Sequence, residues 1–182
     1  MSFSFTILQL GNICRYARTA RLAHMLPPLN ASLPEAEVNT SRRGAMYVAQ
    51  LAHESGEFRY LEEIADGTAY EGREDLGNVQ SGDGKRFKGR GVIQITGRSN
   101  YRAAGEALGL PLLLHPEIAA APENAFRIAA WYWHSHCCNG PADEEDVEGC
   151  TRIINGGLQG IDFRMRYFEL AKDVLGVGRN YV

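Results

Sequence analysis

What this chain has little of narrows its chemistry before any motif is read. Cysteine is scarce: Cys14, Cys137, Cys138 and Cys150 are four in 182 residues, and two of them are adjacent. An adjacent pair is a poor start for a disulfide framework, so reduced, buried and inert thiols are expected. His134, His136, Cys137, Cys138 and Cys150 fall in one stretch, yet no Cys-x-x-Cys or His-x-x-x-His spacing occurs, and no metal is expected. Long apolar runs are missing too. Residues 1–10 are apolar before they are basic, and Arg15, Arg18 and Arg21 break the run, which fits neither a signal peptide nor a membrane span. Synthesis and folding in the cytoplasm without membrane insertion are expected, and the glycosylation-type triplet at Asn30 and Ser32 is discounted for want of a secretory route. Nor does one sign of charge dominate. Nineteen basic residues against twenty-two acidic give a net charge of -3, which supplies no overall attraction to nucleic acid or anionic lipid. Internal repeats, low-complexity tracts and long linkers are absent.

What is present is an ordinary globular composition, 45% hydrophobic and 23% charged, enough for one substantial core and too little for two comfortable domains. A single domain over 1–182 is expected, with a helical region 1–40 packed on a core 41–182. Pro27, Pro28 and Pro34 mark turns that close the N-terminal helical stretch. From Thr40 or Ser41 as cap, Met46, Val48, Ala49, Leu51 and Ala52 form a helical stripe that Gly56 can end, which puts Glu54 near a helix C-terminus. Further helices are predicted from Ser99 to Leu108, from Pro122 through Tyr132 as the central core helix, and from Phe163 to Leu175. Asp143, Glu144, Glu145 and Asp146 suit a helix N-terminus.

Between Glu57 and Arg90 the helical period is lost, and Gly67, Gly72, Gly77, Gly82, Gly84 and Gly89 punctuate a loop-rich stretch. Short strands are predicted at 86–88 and 92–96, the second pointing Gln94 and Thr96 to one face. The fold class read from this order is α+β, mainly α, with a small β element.

His53-Glu54-Ser55-Gly56 is the most informative segment. It carries a carboxyl at a helix end, with Phe58 close by and Glu62, Glu63, Glu71 and Glu74 following. Cleaving a sugar–oxygen bond needs one carboxylic acid facing one carboxylate. In a straight helix Glu54 and Glu63 lie about 13 Å apart along the axis and on opposite faces. If the chain doubles back at Gly56, their carboxyl groups can reach the roughly 6.5–9.5 Å that admits a water between them, the inverting geometry. The acid must keep its proton near neutral pH, which burial against Phe58 or Tyr60 would favour, and the base must stay ionised. The plainer reading of Glu62 and Glu63 is a solvated acidic pair.

Other chemistries fail on spacing. A zinc-protease helix needs a second histidine at 57, where Glu57 stands. The glycines from Gly82 to Gly91 lack a phosphate-loop register. Lys85, Arg86, Lys88, Arg90 and Arg98 are diluted by neighbouring acids and read as a solvated rim rather than a nucleic-acid surface.

The segment from Gly89 to Tyr101 adds an amide at Gln94, a hydroxyl at Thr96 and an amide at Asn100, groups able to orient a water or an N-acetyl sugar. Together with His53 to Gly56, Tyr70 to Asn78, and Ile154-Asn155-Gly156-Gly157, in that order, it resembles glycoside hydrolase family 19, most of all the compact endolysins of phages and prophages. The likeness covers about Met46 to Val177. It implies a lysozyme-like, mainly α-helical fold with a small β-hairpin lobe, no cofactor, and hydrolysis of a β-1,4 bond with inversion. By position, Glu54 matches the general acid, Glu63 the general base, and Thr96 the hydroxyl that holds the attacking water. Gln94, Asn100, Tyr101, Asn155 and, less directly, Arg164 match groups lining the sugar cleft. His53, Glu71, Arg73 and Arg90 match supporting partners. The chain departs from plant members in lacking their longer loops, their disulfide pattern and a chitin-binding module. A monomeric endolysin is therefore expected, made in the bacterial cytoplasm and passed to peptidoglycan through a lesion made by another protein. A chitinase, and a non-catalytic wall-binding protein, are its rivals.

Overall fold

A computed structural model describes residues 3–178. The chain opens with α1 (Ile7–Ile13) and α2 (Thr19–Ser32), followed by α3 (Ser41–Ser55). After a long loop region come α4 (Asp83–Arg86), α5 (Arg98–Leu108), α6 (Pro122–Ser135), α7 (Asn139–Asp143), α8 (Val147–Asn155) and α9 (Ile161–Leu175). Short 3-10 turns at Thr68–Tyr70, Glu74–Leu76 and Pro116–Ala120 complete the described elements. No helix is long and apolar enough to cross a membrane, among the described residues.

The centre belongs to α3 rather than to α6. Every residue from Gly44 to Ala52 is buried, because Gly44, Ala45, Ala49 and Ala52 leave room for neighbours on all sides. A Cβ at Gly44 would collide with the Phe3 ring. α9, α7 and α8 pack against α3, with α9 making the most extensive contact, and α6 packs on both α2 and α5 while burying only one face. The Tyr47 and Trp133 rings meet edge-on at 5.0 Å and join α3 to α6.

The helix ends follow their capping chemistry. Thr40 accepts from the Arg43 amide at the start of α3, and Gly56 takes the left-handed C-cap at φ 57°. Asp146 caps α8 by accepting from the Gly149 amide at 2.8 Å. Two expectations need correction. Pro27 and Pro28 do not end the N-terminal helix but lie inside α2, which runs on to Ser32. Proline in a helix interior costs about 3 kcal/mol, and here burial of Met25, Pro28 and Leu29 on the side that meets α6 offsets it. The strands expected at 86–88 and 92–96 do not form. Arg86 ends the short helix α4, and among the described residues the β structure is two isolated antiparallel bridges, Glu62 with Arg90 and Arg90 with Ile95. The reason is local: Gly91 (φ 84°) and Gln94 (φ 55°) turn the chain left-handed, so Val92, Ile93 and Ile95 are all buried instead of alternating.

Candidate active site

Glu54 occupies the last turn of α3 and points at α9. Its Oε1 accepts from Arg164 Nη2 in a tight ion pair, the acid 15% and the arginine 1% exposed. A buried guanidinium must have all its charge met. Arg164 Nη1 donates to Gln50 Oε1 at 2.5 Å, and Nε donates to the Gln159 carbonyl at 3.2 Å. Gln50 in turn donates to Thr151 at 3.2 Å, and Thr151 donates to the Val147 carbonyl at 2.7 Å. A fully buried polar chain thus crosses α8, α3 and α9 and ends on the Glu54 carboxylate. Arg164, expected along the sugar cleft, is enclosed, with its donors committed to Glu54, Gln50 and Gln159; what it touches is the acid.

His53 sits beside this pair, half-buried. Its ring fills the space over Gly160, where a Cβ would clash with it, and faces Phe163 at 6.3 Å. Burial, then the Arg164 charge, pulls its pKa down to about 4.

The reversal expected at Gly56 takes three residues. Gly56, Glu57 and Phe58 all have positive φ (57°, 57° and 62°), at roughly 1–2 kcal/mol for each residue that carries a Cβ. Surrounding bonds hold the turn. Ser55 Oγ accepts from the Phe58 amide at 2.8 Å and donates to the Leu51 carbonyl at 2.7 Å, while the Glu57 amide reaches back to the Ala52 carbonyl at 2.7 Å. Phe58 is buried against Phe126, 5.6 Å between centroids, so it packs into the core. Glu57 is 3% exposed, and its carboxylate accepts from the Tyr16 amide at 2.7 Å and the Tyr167 hydroxyl at 2.9 Å. It ties the turn to the α1–α2 link and to α9. No local pattern marks this role, because both partners of Glu57 are distant in sequence.

Glu63 is held by the loop region. Its Oε1 accepts from the Tyr70 hydroxyl at 2.9 Å, its Oε2 accepts from the Gly89 amide at 3.1 Å, and its own amide donates to the Gly89 carbonyl at 2.9 Å. Burial, then the bond to Glu63, raises the Tyr70 pKa. A Cβ on Gly89 would stand 2.9 Å from Gln94 Oε1 and 3.2 Å from Glu63 Oε2, so these two side chains converge over the bare glycine. Gln94 Nε2 donates to the Gly91 carbonyl at 2.6 Å, Thr96 Oγ1 donates to the Gln94 carbonyl at 3.1 Å, and Asn100 Nδ2 donates to the Thr96 carbonyl at 2.8 Å. Glu63, Tyr70, Gln94, Thr96 and Asn100 form one connected group.

The other carboxylates near Glu63 have different work. Glu62 pairs with Arg90 at 3.1 Å and Lys88 at 3.3 Å. Glu71 spends both oxygens on the Gly82 and Gly84 amides at 2.6 and 2.8 Å, pinning the start of α4. Glu74 is exposed in a 3-10 turn. Arg90 is buried, bonding Glu62, the Arg86 carbonyl and the Tyr101 hydroxyl. Tyr101, expected in the cleft, is fully buried; its hydroxyl donates to the Lys88 carbonyl at 2.7 Å and its ring packs on Phe87. It supports the loop from beneath. Burial pushes its pKa up to about 12. Arg73 pairs with exposed Asp75 at 2.6 Å, and its amide donates to the Tyr70 carbonyl at 3.3 Å, while Asn155 is exposed at the end of α8.

Cys14, Cys138 and Cys150 are buried thiols and Cys137 is exposed; burial pushes the first three up, Cys138 to about 12. Among the described residues, no group of three or more His, Cys, Asp or Glu side chains is placed to hold a metal ion.

Comparison with known proteins bears on the same segments. The family described as Chitinase class I matches residues 36–155. An endochitinase of Arabidopsis thaliana is 43% identical over 123 residues, 64% of this chain and 40% of that protein. A glycosyl hydrolase family 19 domain-containing protein of Haemophilus influenzae is 32% identical over 173 residues, 78% of this chain and 84% of that one. The crystal structure of chitinase C from Streptomyces griseus superposes with a TM-score of 0.75 over 96% of this chain and 78% of that chain. At 24% identity this last likeness is one of fold. The chain spans less than half the length of the plant relative.

Proposed function

The chain belongs to glycoside hydrolase family 19, and from that premise we propose that it is a peptidoglycan-degrading endolysin that cuts β-1,4 glycosidic bonds with inversion. The observation that carries the reading is the pair of carboxylates held by independent frameworks on either side of one left-handed turn: Glu54 by the Arg164–Gln50 chain, Glu63 by Tyr70 and Gly89. Glu54 protonates the leaving oxygen. Glu63 takes a proton from a water on the opposite face of the sugar, and Thr96 with Gln94 orients that water. Both carboxyl groups need fixed positions for this, because a shift of about 1 Å can cost a hundredfold in rate. Asn100 and Asn155 contact the sugar, while Arg164 and His53 position the acid.

The compact form is shared with the Haemophilus influenzae relative, matched over 84% of its length, and equally with a solved bacterial family 19 chitinase, matched over 98% of its chain. Free cysteines fit synthesis in a reducing cytoplasm and delivery to the wall through a lesion made by another protein. The second reading, a chitinase, is favoured by the names of the plant relatives. Purified sacculi and N-acetylglucosamine oligomers, digested in parallel with mass spectrometry of the new reducing ends, separate the two. The endolysin reading expects soluble wall fragments at higher kcat/KM than any chitin product, and the reverse order would replace it. A wall-binding protein without activity would sediment with sacculi and release nothing.

A further inference from the structure

The arginines of this chain fall into two groups. Eight of those described make ion pairs with carboxylates: Arg42, Arg43, Arg73, Arg90, Arg98, Arg127, Arg152 and Arg164. Among the described residues the other seven make none; Arg86 and Arg102 lie elsewhere, while Arg15, Arg18, Arg21, Arg59 and Arg166 line two adjoining cavities of about 600 and 280 Å³ that share Tyr16, Glu57 and Tyr167. Five guanidinium groups without an ion pair around one groove are unexpected on a protein of net charge -3, since like charges so gathered repel one another unless something anionic lies among them. The one acid lining the groove, Glu57, offsets a single charge of the five. Glu57 is buried, and its oxygens are committed to the Tyr16 amide and the Tyr167 hydroxyl.

The groove abuts the candidate active site. Gly56, Glu57, Arg59 and Tyr60 line it and belong to the turn that leaves Glu54, and the Tyr60 carbonyl accepts from Gln94 Nε2 at 3.3 Å. On the other side Phe163 and Arg166 come from α9, next to Arg164, which holds the acid. Tyr16, Tyr60 and Tyr167 add flat apolar faces between the charges.

We infer that this arginine groove is a binding site for the carboxylates of the peptide stem carried by a cell-wall glycan, engaged while the sugar strand lies across Glu54 and Glu63. The inference rests on the peptidoglycan reading above and gives it a specificity element. A guanidinium fork matches a carboxylate in a bidentate geometry, and an extended stem of three to five residues reaches about 10–17 Å from its sugar. A neutral N-acetylglucosamine oligomer has nothing to place there.

Two measurements test it. Isothermal titration of the intact protein with a stem tetrapeptide bearing free carboxylates, and with the same peptide fully amidated, reads the site without hydrolysis. Binding of the free acid, weakened roughly tenfold or more in Arg18→Glu/Arg21→Glu and by raising the salt, is expected; equal binding of both peptides, no binding, or equally tight binding of a phosphate polymer such as teichoic acid would overturn the assignment. The second measurement compares kcat/KM on glycan strands with stems and on the same strands stripped by an amidase. The wild-type preference for stems is expected to vanish in the double variant, and an unchanged ratio contradicts the inference. If the free-acid peptide binds but neither strand is cut, the groove stands and the peptidoglycan reading is what fails. Salt dependence in the wild type keeps the test decisive should the double variant not fold.

Discussion

Glu54 and Glu63 stand nine residues apart in sequence and are held by opposite kinds of structure. Glu54 rides on the most buried helix of the molecule and is clamped by a guanidinium at the end of a buried polar chain through three helices. Glu63 sits in the loop region and is held by one tyrosine hydroxyl and one backbone amide. Burial makes the first position rigid and costly to disturb, whereas the second depends on a few hydrogen bonds, one made to a glycine whose missing Cβ lets Gln94 approach. The acid is bound up with the stability of the whole fold, and the base is not.

Substitutions can break that contrast. The largest effect is expected from Glu54→Gln, which keeps a hydrogen bond to Arg164 but removes the transferable proton: kcat falls about 10²–10⁴-fold with circular dichroism unchanged. Turnover at the wild-type rate would end the assignment of the acid. Glu63→Gln is expected to fall comparably, while Glu62→Gln, Glu71→Gln and Glu74→Gln each lose far less; a larger loss at one of these three would move the base there. Arg164→Met separates rigidity from chemistry, because it strands Glu54 and Gln50 beside an apolar stem. Loss of one partner of a buried pair costs about 3–5 kcal/mol, read as a lower urea midpoint. Tyr70→Phe, the matching change at the base, is expected to lower kcat with little movement of that midpoint. An equal stability loss in the two variants would erase the contrast.

The smallest effect concerns pH. The folded pKa of His53 is about 4 against an ordinary 6.5, so the fold prefers the neutral ring. Its stabilising contribution is complete above 6.5 and declines as pH falls toward 4. With the ring half exposed to solvent, about 1–2 kcal/mol is expected to be lost across that window. Urea unfolding at pH 7 and pH 4.5 should show a shallower acid loss for His53→Gln than for the wild type, and parallel curves would exclude the histidine as the cause.

The same contrast explains what was legible in the residues. α3, α5, α6 and α9 announce themselves through caps and apolar periods, with Thr40, Gly56, Gly109 and Pro122 at their ends, and Glu54 could be placed at a helix end for that reason. The loop region could not be read in this way. Glu57, Phe58 and Gln94 adopt left-handed backbone without being glycine, so nothing in their identity marks the turns they make, and a pattern such as Val92 to Thr96 imitates a strand. Arg164 and Tyr101 escape local pattern for a related reason. Polar and amphipathic side chains look accessible in a sequence, and only tertiary packing shows that one pairs with the acid and the other underlies the loop. The stabilising role of Glu57 lies across contacts with Tyr16 and Tyr167, 41 and 110 residues distant, beyond any local pattern.

The central claim is that Glu54 and Glu63 act from opposite faces of one sugar, with a water between the base and the anomeric carbon. Proton NMR of the reducing end in the first minutes of hydrolysis, before mutarotation, tests it directly. Release of the α-anomer from a β-linked strand is the predicted result, and initial release of the β-anomer would contradict it.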